Sequence, residues 1–119
     1  ITIERIKTVL IDLVYNKNNV LNSNLSDYLA NDLAQDYSAL SNLFSEIEGI
    51  TIEHYFIAQK IERVKELLTY DELTLSEIAI QLQYSNVAHL SNQFKKTTGF
   101  TSTYFKRLKV KTRKQIDDL

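Results

Sequence analysis

The stretch LSNQF (Leu90–Phe94) repeats, fifty positions further along the chain, the stretch LSNLF (Leu40–Phe44). Each copy is followed five residues later by a glycine, Gly49 or Gly99, and these are the only two glycines among the 119 residues. Each glycine is followed two positions later by a threonine. A helix that ends at a left-handed glycine, followed by a threonine that caps the next helix, accounts for both copies. The sequence therefore predicts that one structural unit occurs twice in the chain.

The composition indicates an all-α fold. The chain has 44% hydrophobic residues and no proline, so it can form a packed core from uninterrupted helices. Strand-type alternation is not sustained anywhere, and no apolar run approaches the roughly 18 residues of a membrane span. There is no cysteine, which excludes disulfides and thiol chemistry and fits a reducing compartment. We predict about seven helices.

Helical periodicity and capping residues divide the chain into segments. Asn24, Asp36 and Asn86 stand where helices are expected to begin, and Thr74 with Glu77 has the S/T-x-x-E spacing of a capping box. The expected segments are an N-terminal helix with a first helix-turn-helix in 1–50, a linker helix in 51–72, a second helix-turn-helix with a closing helix in 73–109, and a basic, polar tail in 110–119.

In a helix-turn-helix, the second helix buries one face and presents the other to the major groove. Because the leucines and phenylalanines of the repeat must be buried, the opposite faces carry the candidate contacts. The candidate base contacts are Ser38, Ser41 and Asn42 in the first unit and Ala88, His89 and Asn92 in the second. Asparagine can pair with adenine, serine and histidine can donate or accept hydrogen bonds, and alanine can contact a thymine methyl group. The alternative is that all of these are ordinary solvated residues of a helical bundle.

The charge distribution favours an anionic partner at one end of the chain. Residues 1–50 carry a net charge of −4, residues 51–90 carry −3 and residues 91–119 carry +6. Lys95 and Lys96 follow the second repeat and continue into Lys106 and Arg107, so these four are the candidate phosphate contacts. The same positions of the first unit read Ser45 and Glu46. We therefore expect the second motif to be the electrostatic anchor.

The second motif also resembles the DNA-binding domain of the AraC/XylS family of bacterial transcription regulators. The matching signature is I-A-x-x-L-x-Y-S-x-x-x-H-L-S-x-x-F-K-K-x-x-G, from Ile78 to Gly99, followed by Tyr104 to Arg107. The resemblance covers roughly residues 20–108. It implies two helix-turn-helix subdomains bridged by a rigid helix, with two recognition helices in adjacent major grooves of promoter DNA. It also implies RNA polymerase as a partner, a cytoplasmic, nucleoid-associated location, and a sensor or dimerisation domain that is absent from this chain.

The chain departs from the family pattern at several positions. The usual turn glycine is Ala34 in the first motif and Gln83 in the second, the usual arginine of the long helix is Lys60, and the usual Ser-Pro after the last glycine is Thr101-Ser102. The two non-glycine turns are expected to be slightly strained or differently shaped.

No enzyme class is indicated. The two histidines, His54 and His89, lie 35 residues apart without any cysteine, so no zinc spacing exists, and two glycines cannot build a phosphate-binding loop. We expect no catalytic residue, no metal and no cofactor. The alternative function is a protein-interaction module in which the acidic first motif docks a partner or a sensor domain.

Overall fold

The computed structural model describes residues 1–17 and 23–117, and over these residues it contains seven helices and no strand. The helices are α1 (Thr2–Tyr15), α2 (Leu25–Leu33), α3 (Tyr37–Glu48), α4 (Ile52–Tyr70), α5 (Leu75–Gln81), α6 (Val87–Thr98) and α7 (Ser102–Asp117). The all-α prediction is confirmed. The chain divides into two compact units, Ile1–Gln59 and Lys60–Leu119, with the boundary inside α4.

The first unit packs α1, α2, α3 and the start of α4 around one apolar core. Its buried members are Ile6, Leu10, Leu29, Leu33, Leu40, Phe44 and Ile52. The Tyr37 hydroxyl donates to both carboxylate oxygens of Glu53, at 3.0 and 3.1 Å, and so ties α3 to α4. Burial, reinforced by this hydrogen bond, raises the pKa of Tyr37 to about 12.

The second unit repeats this arrangement with the rest of α4 and with α5 and α6. Its buried apolar residues are Ile61, Val64, Leu68, Ile78, Ala79, Leu82, Tyr84, Leu90 and Phe94. In both units the leucine and phenylalanine of the repeated stretch are fully buried. The apolar part of the repeat therefore builds the core.

Each glycine of the repeat ends the helix before it in the left-handed conformation, as predicted. Gly49 has φ 75° and Gly99 has φ 85°, and their N–H groups donate to Ser45 O and Lys95 O at 3.0 and 2.8 Å. The threonines two residues later cap the next helices, because Thr51 Oγ1 accepts from His54 N at 3.0 Å and Thr101 Oγ1 accepts from Tyr104 N at 3.1 Å. The chain thus reverses in the same way after α3 and after α6.

Across each reversal, one aromatic pair joins the recognition helix to the following helix. Phe44 meets Tyr55 edge to face with ring centroids 5.5 Å apart, and Phe94 meets Phe105 at the same distance and the same interplanar angle of 69°. Both pairs are eleven residues apart in the chain. The repeat in the sequence is therefore also a repeat in packing.

The predicted helix starts are confirmed, and three of the four have a side-chain cap. Asn24 Oδ1 accepts from Asp27 N, Asn86 Oδ1 accepts from His89 N, and Thr74 with Glu77 forms a complete capping box. Asp36 stands at the N-cap of α3, but its side chain makes no capping hydrogen bond. The Asp36 carboxylate is therefore exposed to solvent at the N-terminus of α3.

Both turns inside the motifs contain a non-glycine residue in the left-handed region. Ala34 has φ 53° and Gln83 has φ 63°. A β-carbon in this conformation costs roughly 1–2 kcal/mol relative to the right-handed region. These turns therefore carry the backbone strain that the sequence predicts for them.

The end of the chain differs from the expected polar tail. Helix α7 continues through residue 117, and residues 118–119 lie outside the described part of the chain. The guanidinium of Arg113 donates to Thr69 O at 3.1 Å and to Tyr70 O at 2.9 Å, so α7 is fastened to the last turn of α4. These are carbonyls that a helix end leaves without an intrahelical partner. A contact between residues more than forty positions apart keeps this segment helical.

We predict that Gly99→Ala lowers the free energy of unfolding by about 1 kcal/mol, since alanine is strained at φ 85°. A β-carbon at this position meets no atom within 4 Å, so the backbone alone carries the penalty. Urea denaturation followed by circular dichroism measures the change. An unchanged midpoint would contradict the conformation described for Gly99.

We predict that Gln83→Gly, in the same unit, has the opposite effect on the free energy of unfolding. Removal of the β-carbon relieves the left-handed strain, while the added freedom of glycine in the unfolded chain offsets part of the gain, by about 0.4–1 kcal/mol. The expected net effect is a stabilisation of about 0.5 kcal/mol in the same denaturation experiment.

Candidate functional site

The two recognition helices, α3 and α6, each present one polar face to solvent. Leu40 and Phe44 in α3, and Leu90 and Phe94 in α6, have no exposed surface. Because these residues lie on one side of each helix, the residues on the opposite side are turned away from the core. The structure therefore fixes which side chains are available to a partner.

On α6, every predicted contact residue is exposed. The set consists of Ala88, His89, Asn92, Lys95 and Lys96. The first three lie in the N-terminal half of the helix, and the two lysines lie in its last turn. The face therefore offers a methyl group, two hydrogen-bonding side chains and two positive charges in order along the helix.

The side chain of His89 is held by its neighbours in the turn before α6. Its Nδ1 lies 3.1 Å from Ser85 Oγ, and its ring meets the Tyr84 ring edge to face with centroids 5.1 Å apart. Its backbone N–H donates to Asn86 Oδ1 at 2.8 Å. The imidazole is therefore positioned before any partner binds.

Tyr84 connects the turn to two helices. Its hydroxyl donates to Gln93 Oε1 on α6 at 2.6 Å, and the Lys60 ammonium of α4 lies 4.1 Å from the centroid of its ring. Burial raises the pKa of the Tyr84 hydroxyl and lowers that of Lys60. Tyr84 is part of the family signature, but its role is not evident from the sequence, because its contacts with Lys60 and Gln93 depend on the folded turn.

On α3, the predicted contact residues are not equally available. Ser38 and Asn42 are exposed, whereas Ser41 is half-buried. Ala39, which the sequence analysis did not select, is exposed and occupies the position that corresponds to His89 in the fifty-residue repeat. The residues fifty positions before Ala88, His89 and Asn92 are Ser38, Ala39 and Asn42, so the repeat itself points to Ala39 and not to Ser41.

The acidic residues of the first motif differ in whether they have a partner within the chain. Glu46 is exposed on α3 at the position that corresponds to Lys96, and Asp36 is exposed at the N-terminus of the helix. Glu48, however, forms an ion pair with Lys7 of α1, and its hydrogen bond raises the pKa of that lysine. No local pattern in the sequence indicates this ion pair, because its partner comes from α1.

The two remaining phosphate candidates lie on α7. Arg107 is exposed, whereas the Lys106 ammonium is 2.9 Å from the carboxylate of Asp71 in the connection between α4 and α5. This hydrogen bond lowers the pKa of Asp71. Lys106 therefore already has an anionic partner within the second unit.

Residues 1–17 and 23–117 contain no group of three or more His, Cys, Asp or Glu side chains that could hold a metal ion. None of the seven helices in these ranges is both long and apolar enough to cross a membrane.

The comparisons with known proteins agree with this geometry. A family model described as a helix-turn-helix domain matches residues 29–107. An uncharacterized HTH-type transcriptional regulator of Staphylococcus aureus is 32% identical over 84 residues, covering 71% of this chain and 11% of that protein. The transposon Tn10 TetD protein of Escherichia coli is 27% identical over 104 residues, covering 87% of this chain and 75% of that protein.

A solved structure shows the same fold. The C-terminal domain of AraT, a response regulator from Geobacillus stearothermophilus, superimposes with a TM-score of 0.77 at 22% identity. The match covers 90% of this chain and 84% of that one. The chain spans only about 11% of the length of its staphylococcal relatives.

We predict that Tyr84→Phe lowers the free energy of unfolding by about 1 kcal/mol, since it leaves the half-buried Gln93 amide oxygen without its donor. The His89 imidazole resonances should stay in place, because the phenylalanine ring preserves the edge-to-face contact. Tyr84→Leu should shift them, and NMR of the two variants measures both effects. Equal shifts in both variants would contradict the role assigned to the ring.

Proposed function

The chain belongs to the AraC-type helix-turn-helix family of DNA-binding domains of transcription regulators, and we propose on that basis that it binds promoter DNA sequence-specifically through α3 and α6. The observation that carries the proposal is the exposed face of α6, where an alanine methyl group, two hydrogen-bonding side chains and two lysines follow one another in order. The two recognition helices would occupy adjacent major grooves, about 10 base pairs apart. The family is not an enzyme class, and the proposal assigns no catalytic residue.

In the proposed complex, α6 provides the anchor. Lys95, Lys96 and Arg107 would neutralise phosphates and release counterions, while Asn92, His89 and Ala88 would face base edges. Lys106 is the weakest of the four phosphate candidates, since it would have to exchange Asp71 for a phosphate. The charge of the units agrees with this division, because residues 1–59 have a net charge of −5 and residues 60–119 have +4.

The first motif would contribute selectivity rather than charge. Ser38 and Asn42 are uncharged hydrogen-bonding residues on its exposed face, and Ser41 could reach DNA only from the edge of that face. Glu46 and Asp36 would lie towards the polyanion and would weaken binding to every sequence. Any gain in affinity from α3 would therefore depend on matching the correct bases.

One observation favours the second candidate, a protein-docking role for the first motif. Leu43 and Ile47 of α3, and Ile50 just after the helix, are 37%, 58% and 44% exposed. The corresponding positions of the second motif are Gln93, Thr97 and Phe100, so two of the three are polar there. A docking module would leave binding unchanged when bases in the first half-site are replaced, whereas a DNA-reading α3 would not.

The partners of the whole regulator are also part of the proposal. The chain corresponds to a small part of its staphylococcal relatives, so a sensor or dimerisation domain would be supplied by other parts of the full protein. RNA polymerase would be the target of regulation once the domain is bound at a promoter.

We predict that Asn92→Ala weakens binding to the duplex that the chain selects from a random-sequence pool by roughly 1–3 kcal/mol. A second selection with the variant should show a relaxed preference at one base position. Fluorescence anisotropy on selected and random duplexes measures the affinity. An equal loss on both duplexes would mean that Asn92 holds a phosphate and does not read a base.

A matched pair of charge changes tests the anchor. Lys95→Glu with Lys96→Glu should weaken binding to all sequences by more than about 100-fold at 0.1 M salt, and the plot of log affinity against log salt should become shallower by about two units. Glu46→Lys, at the position that corresponds to Lys96, should tighten binding and steepen that plot by about one unit. If the double variant keeps its affinity, α6 is not the anchor.

A further inference from the structure

Helix α7 carries a basic face that continues beyond Lys106 and Arg107, the two phosphate candidates at its start. Lys106, Arg107, Lys111 and Lys114 line one groove along α7, together with Val110 and with Asp71 from the α4–α5 connection. Arg107, Lys111 and Lys114 are exposed, whereas Lys106 is half-buried and forms an ion pair with the Asp71 carboxylate. The opposite side of α7, with Phe105, Lys109 and Arg113, borders α4.

The stability of α7 does not explain why several cations share one of its faces. Arg107 and Lys111 are four residues apart, and Lys111 and Lys114 are three apart, and like charges at these spacings destabilise an isolated helix. The helix macrodipole favours cations only in the last turn, where Lys114 lies, and not in the middle of the helix. The repulsion along this face therefore works against helix formation, and an anion bound there would relieve it.

Three contacts hold α7 in place despite this repulsion. Phe105 packs on Phe94 at 5.5 Å, Lys106 pairs with Asp71 at 2.9 Å, and Arg113 donates to the last carbonyls of α4. These contacts are spread along α7 from Phe105 to Arg113. The exposed cations are thus held in a line on a fixed helix, which reduces the entropy lost when they bind.

We propose that Arg107, Lys111 and Lys114 form a phosphate-binding track that grips the DNA backbone beyond the base pairs read by α6. The Phe94–Phe105 contact joins the start of α7 directly to α6, whose last turn carries Lys95 and Lys96. The track would therefore extend the anchor along one flank of the site. This inference rests on the proposed function, since it requires that α6 binds DNA.

The test compares a short duplex, which ends at the half-site of the second motif, with the same duplex extended by about one helical turn on that flank. Both duplexes carry the sequence selected from the random pool. Footprinting identifies the end of the duplex that lies next to the second motif. The 119-residue chain should bind the extended duplex about 10-fold more tightly. An extension at the other end should add little.

The double change Lys111→Gln with Lys114→Gln should remove this gain while keeping binding to the short duplex. On the extended duplex, the plot of log affinity against log salt should become shallower by about 1.8 units, since about 0.9 is expected for each phosphate contact. Lys65→Gln with Lys109→Gln is the matched control, because it removes the same charge from the groove between α7 and α4. Circular dichroism confirms that each variant is folded.

A variant at Lys111 and Lys114 that retains both the gain and the salt dependence would overturn the track and leave the proposed function standing. A wild-type chain that binds neither duplex, even at low salt, would overturn both. Loss of affinity for the short duplex as well would also contradict the track, because it would place these lysines within the site that α6 reads.

Discussion

The burial of one phenylalanine in each recognition helix is the constraint on which the rest of the structure depends. Phe44 and Phe94 are fully buried, and each meets an aromatic ring of the next helix across a glycine-terminated reversal. Because each phenylalanine fixes the rotation of its helix, the opposite face must be exposed. The exposed face that could read DNA is therefore a consequence of core packing, and Gly49 and Gly99 allow the chain to turn where the packing requires it.

What the sequence predicts well is local. Helix starts at Asn24, Thr74 and Asn86, and helix ends at the two glycines, follow from side chains that act within three or four residues. What it misses is long-range. The Arg113 contacts with the end of α4 and the Glu48–Lys7 pair join residues about forty positions apart, so no periodicity indicates the full length of α7 or the paired state of Glu48.

The candidate site shows the same division. The contact residues that the sequence predicts on α6 are all exposed, because the buried leucine and phenylalanine of the repeat can be recognised in the sequence. On α3, residue chemistry points to Ser41, which is half-buried, whereas position in the repeat points to the exposed Ala39. The contacts of Tyr84 with His89 and Gln93 form only when the turn folds, so the positioning of the recognition helix could not be read from its own residues.

The central claim is that two structurally equivalent motifs hold DNA unequally, with charge concentrated on the second. Ethylation interference measures this most directly, since it identifies, phosphate by phosphate, where a neutralised backbone prevents binding of the 119-residue chain to its selected duplex. The account predicts that interfering phosphates cluster around the half-site of the second motif and its outer flank, with few or none around the first. Equal interference at both half-sites, or a cluster confined to the first, would contradict it.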